Sequence, residues 1–139
     1  MTTISPTRLD RSRARDTIRK ARNELLASGD PALRPCYDYL QTAQEKVHDA
    51  DGSAIFDLYK AIETVENALG GEEAACEELG VRKELKSIKR TANEPSRDER
   101  HAPEDPAQPR VPKEHGLAMD HTRAVVRAYE RYLQRRSRP

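Results

Sequence analysis

One stretch constrains the fold of this chain more than any other. Between Gly52-Ser53 and Gly70-Gly71, the residues Ile55, Leu58, Tyr59, Ile62, Val65 and Leu69 recur every three or four positions, which sets them on one stripe of an α-helix and scatters them over both faces of a strand. Gly52 and Ser53 suit the N-cap, and Gly70-Gly71 suits the stop. A helix with one apolar stripe cannot bury it alone, so the remainder of the chain must supply matching faces.

It does so repeatedly. Upstream, Asp30 before Pro31 predicts an N-cap with Pro at the first helical position, and Leu33, Tyr37, Leu40, Gln44 and Val47 then form a second stripe. Earlier still, Ile18, Ala21, Leu25 and Leu26 read as a shorter seam on an Arg-rich helix that ends near Ser28-Gly29. Beyond Gly71, Glu72 to Leu79 forms a short helix and Gly80 breaks it, after which Val81, Leu85, Ile88 and Ala92 mark another. The longest element runs from about Lys113 to Arg136 and carries Leu117, His121, Val125, Ala128, Tyr129 and Tyr132 at helical spacing. No segment alternates with period two for long enough to argue for a strand. The expected fold is therefore all-α: one domain over residues 1–139, a bundle of five or six helices ordered from about 8 to 136, with a long Pro-rich loop over 93–112 before the last helix.

Composition narrows the class. Only 35% of the residues are hydrophobic and 4% aromatic, with no Trp, so the core is thin and shared among several elements. No run approaches the roughly 18 apolar residues of a membrane span, and the first residues lack an apolar leader, so the expectation is a cytoplasmic protein with no membrane role. Cys36 and Cys76 stand 40 positions apart with no ligand-like spacing, and each falls among apolar helical positions. Both read as core residues, with no metal and no cofactor implied.

A net charge of +1 hides segregation. Residues 1–30 hold 7 basic and 4 acidic side chains, residues 31–81 hold 3 and 11, and residues 110–139 hold 8 and 3. Basic ends either complement the acidic middle or attract an outside anion. The intramolecular use is the expected one, because a small bundle must satisfy its own charges first.

Two constellations carry candidate chemistry. In AACEELGVRKELKSIKR, the residues Lys83, Lys86, Lys89 and Arg90 follow a helix, Gly80 and Val81, which is the outline of a helix-turn-helix DNA binder. In that motif the apolar positions of the second helix would fall at Lys86 and Lys89, whereas here Leu85 and Ile88 come one residue earlier. One residue turns a helix by about 100°, so the expected reading is a tight core connection whose cations form a general nucleic-acid surface. The second constellation is Asn93, Arg97, Arg100 and His101. A neutral His accepts a 2'-hydroxyl proton while Arg donors hold the phosphate, which is the outline of a metal-independent ribonuclease site.

Together with LYKAIETVENALGG, this Asn then Arg-His segment resembles the HEPN family of helical bundles over roughly residues 53 to 132. The resemblance implies a bacterial-type helical bundle in a defence or toxin-antitoxin setting, acting on RNA, with a site composite across a homodimer. Arg97 and His101 have three residues between them, a shorter spacing than the family's motif. The leading expectation is accordingly a protein that binds a macromolecular partner, RNA or protein, through the Asn93 to His101 segment and the basic helix faces. Cleavage of RNA by His101, Arg97 and Arg100, with Asn93 beside them, is the enzymatic alternative. A structural or adaptor subunit completed by self-association is the third.

Overall fold

The structure, a computed structural model, describes residues 8–93 and 113–136. Among these it holds six α-helices and no strand: α1 Arg8–Ala27, α2 Leu33–His48, α3 Ala54–Leu69, α4 Glu72–Leu79, α5 Arg82–Asn93 and α6 Lys113–Arg136. The chain divides into two units, Met1–Asp30 with α1 and Pro31–Pro139 with the other five helices.

In the second unit α3 is central. It packs against α2, α4, α5 and α6, and α6 in turn touches α2, α4 and α5. The stripe that defines α3 explains this position, since Ile55, Leu58, Ile62 and Val65 are all buried and Ala54 and Ala61 join them, widening the apolar face until four neighbours can share it. Leu33, Cys36 and Ala43 are buried on α2, and Val81, Leu85 and Ile88 lie buried at and along α5. Cys36 lends its thiol to the Ala61 carbonyl at 3.6 Å, which fixes it as a small core residue against α3.

The helix ends show where local chemistry departs from expectation. The α2 helix starts at Leu33 with Ala32 as its N-cap and no side-chain cap bond, so Asp30-Pro31 lies one turn ahead of the helix and not at its first positions. Before α3, Ser53 is the N-cap but its hydroxyl makes no cap bond; instead Asp51 accepts the Ser53 N–H at 2.9 Å in a side-chain-closed turn. Gly70 and Gly80 both end helices in the left-handed region, at φ 98° and 68°, where a β-carbon is strained and glycine is not.

Two stripes depart in part from their sequence expectation. On α6 the buried set among the described side chains is His115, Ala118, Met119, Thr122, Val125, Val126, Ala128, Tyr129 and Glu130, whereas Leu117 is 51% exposed. Thr122 enters that face because its hydroxyl donates to the Ala118 carbonyl at 2.8 Å, so no donor is left open. On α1 only Leu25 of the seam is buried, Ala21 and Leu26 are half-buried, and Ile18 is 51% exposed.

Candidate functional site

The α4–Gly80–α5 passage builds the surface on which the sequence placed its nucleic-acid residues. Leu85 and Ile88 are fully buried, which fixes the rotation of α5 and leaves Lys83, Lys86 and Arg90 exposed on the opposite side. At i, i+3 and i+7 these three cations share an arc of about 60°. None of the three forms an ion pair with another described residue.

Lys89 is used differently. Its ammonium donates to Glu66 of α3 at 2.8 Å and meets Glu72 of α4 at 3.1 Å, and it is only 22% exposed. Burial alone would lower its pKa, yet the hydrogen bonds to the Glu66 and Glu72 carboxylates outweigh burial and raise it. Lys89 is thus the clamp that holds α5 onto α3 and α4, while its three neighbours face solvent.

A second clamp closes the turn. The Arg82 guanidinium grips the Glu73 carboxylate with two hydrogen bonds across Gly80, which holds the Glu73 carboxyl below its ordinary range and raises the Arg82 pKa. On the far side of the bundle Lys46 of α2 meets Asp57 of α3 at 2.7 Å. Four carboxylates of the acidic middle, Asp57, Glu66, Glu72 and Glu73, are therefore met by cations of α2 and α5. From the C-terminal helix, Arg123 reaches Gln44 at 3.2 Å.

Asn93 is exposed at the last position of α5. Arg97, Arg100 and His101 lie outside the described residues, so Asn93 is the member of the second constellation that the structure places, about one turn beyond Arg90 on the same helix. Burial pushes the Cys76 thiol up, away from the thiolate. No set of three His, Cys, Asp or Glu side chains converges as a metal-ligand group among the described residues, and no described helix is long and apolar enough to cross a membrane.

The end of α6 interleaves tyrosines with arginines. Tyr129 and Tyr132 stack with ring centroids 6.2 Å apart, and Arg136 lies over the Tyr132 ring while donating to its hydroxyl at 3.1 Å. Tyr129 belongs to the core, and Tyr132 with Arg136 forms the rim.

No protein-family model, curated protein or solved structure matches this chain. What the site does must be argued from its own residues.

Proposed function

We propose that this protein is a HEPN-like helical bundle of bacterial type that binds RNA through the outer face of α5, in a defence or toxin-antitoxin setting. The observation that carries the reading is the division of labour on one helix. Lys89 secures α5 to the bundle, while Lys83, Lys86 and Arg90 stay exposed on an arc that Leu85 and Ile88 hold outward. A row of cations that the carboxylates of the described residues do not pair is what a polyphosphate chain requires. Binding is favoured over cleavage because it needs only this row.

The test is anisotropy of a labelled RNA titrated with the whole protein at several salt concentrations. Affinity should fall steeply with salt, and Lys83→Glu with Lys86→Glu should abolish most of it without loss of helix, because each contact contributes about one unit of salt slope. Binding that ignores salt, or that the double variant leaves unchanged, overturns the RNA reading and favours a protein partner.

A further inference from the structure

The first unit carries a charge pattern that the α5 surface does not share. From Arg11 to Arg22, α1 holds five Arg and one Lys against a single acid, Asp16. Every residue from 11 to 20 is exposed. Projected at 3.6 residues per turn, Arg11, Arg15, Arg19 and Arg22 fall within an arc of about 80°, and Arg13 with Lys20 fall together about 150° from its centre. The helix therefore has two cationic flanks.

What lies between the flanks is small and polar. Ser12, Asn23 and Asp16 occupy the face between them, while Ala14, Ile18, Ala21 and Leu25 occupy the face opposite, again by the 3.6-residue repeat. Leu25 on the apolar face is buried and Ala21 half-buried, whereas Ser12, Asp16 and Asn23 on the polar face are exposed, as are the flanking cations other than the half-buried Arg22.

We infer that α1 binds double-stranded DNA by lying in the major groove, with its two cationic flanks against the two phosphate walls. The major groove is about 12 Å wide and admits one α-helix of roughly 10–12 Å diameter. The cationic run spans about 16 Å, along which each strand of B-DNA presents about five phosphates. Arginine outnumbers lysine, and its planar fork suits phosphate oxygens. The short Ser12, Asn23 and Asp16 side chains let the helix approach the groove floor.

Other occupants fit this pattern less well. Single strands are held by aromatic platforms, and α1 contains no aromatic residue. The major groove of duplex RNA is too narrow for a helix with two flanks to enter. An anionic membrane needs a broad apolar face, whereas among the described side chains of α1 the large exposed apolar residue is Ile18. For a second copy of the chain, the acidic middle is the natural counterpart; Asp57, Glu66, Glu72 and Glu73 already have cations of their own, and the remaining carboxylates make self-association the competing outcome of the test. The inference goes beyond the RNA reading and is independent of it, since it concerns different residues in the other unit.

The experiment uses the full chain with a labelled DNA duplex of about 20 base pairs, the length of two helical turns. Its comparison arms are the matching single strand, a duplex RNA and anionic phosphatidylserine vesicles. The duplex DNA should bind most tightly. Arg15→Ala with Arg19→Ala should weaken it at least about tenfold and lower the salt slope by about two. Both positions are exposed and alanine favours helix, so circular dichroism should be unchanged. In the Lys83→Glu and Lys86→Glu background, Arg15→Ala with Arg19→Ala should still weaken duplex DNA binding at least about tenfold, which separates this inference from the RNA reading. Equal DNA affinity of the α1 variant and the parent overturns the inference, as does tighter binding of any other arm, or salt-dependent self-association without DNA binding.

Discussion

Replacing Lys89 by Ala tests the clamp at the centre of the bundle. Its ammonium lies 2.8 Å from Glu66, whose side chain is 7% exposed, and 3.1 Å from Glu72, which is 48% exposed. At the shorter distance the gross attraction is about 6 kcal/mol for an effective dielectric near 20, and desolvation of the two ions offsets most of it. Deleting Lys89 removes the attraction but leaves Glu66 shielded from water. Breaking a fully buried pair costs about 3–5 kcal/mol; the partial exposure of Lys89 reduces that here to about 2–3 kcal/mol. For a chain of this size the loss lowers Tm by about 10 °C. Thermal and urea melts followed by circular dichroism measure it. Adding Glu66→Gln to Lys89→Ala should recover at least half of the loss, because no buried charge is then stranded. A single variant that melts within about 2 °C of the parent, or a double variant no more stable than the single, refutes the account.

The same lysine gives a pH signature. Its folded pKa lies above the ordinary 10.5, so its stabilisation is complete below that value and disappears as pH rises through the folded pKa. Melts from pH 9 to 12 should show the parent losing more stability than Lys89→Ala. Ile62, fully buried on α3, becomes Asp only by placing an unpaired charge in the core; Ile62→Asp should cost about 4 kcal/mol or more and leave no cooperative melt. Gly80 sits at φ 68° with open space around a built β-carbon, so Gly80→Ala should cost about 1 kcal/mol through backbone strain alone, read as a shifted urea midpoint with unchanged slope.

Much of the architecture was written in the spacing of apolar residues. Helix α3 emerged between its two punctuating pairs, α4 from Glu72 to Leu79, and α6 from Lys113 to Arg136, because glycine stops and stripe ends are local signals. The rotation of α6 was less visible. A sequence reader places Leu117 inward for its hydrophobicity, whereas packing against four helices selects the arc centred on Ala118, Thr122 and Val125, and Thr122 is admitted by a bond to its own backbone. The start of α2 was missed for a related reason, since Asp30-Pro31 carries the signature of a cap without making one. At the candidate site, the one-residue offset of Leu85 and Ile88 already fixed which way α5 turns. The clamp role of Lys89 was hidden, because Glu66 lies 23 residues away and only the fold brings it near.

The order in which the helices meet has a kinetic consequence. Within residues 31–93, α2 meets α3, α3 meets α4 and α5, and α4 meets α5, so each contact joins elements close in the chain. Such contacts form early, since short loops close cheaply. The last helix is different: α6 begins at Lys113 and must return to cover α2, α3, α4 and α5 together. Closure entropy grows only with the logarithm of length, so doubling the connector between α5 and α6 would cost only about 0.6 kcal/mol. Lengthening it would barely alter equilibrium stability. Until α6 arrives, however, the faces of α3 and α5 that it covers stand open to water, and that interval is when a newly made chain is most exposed to aggregation.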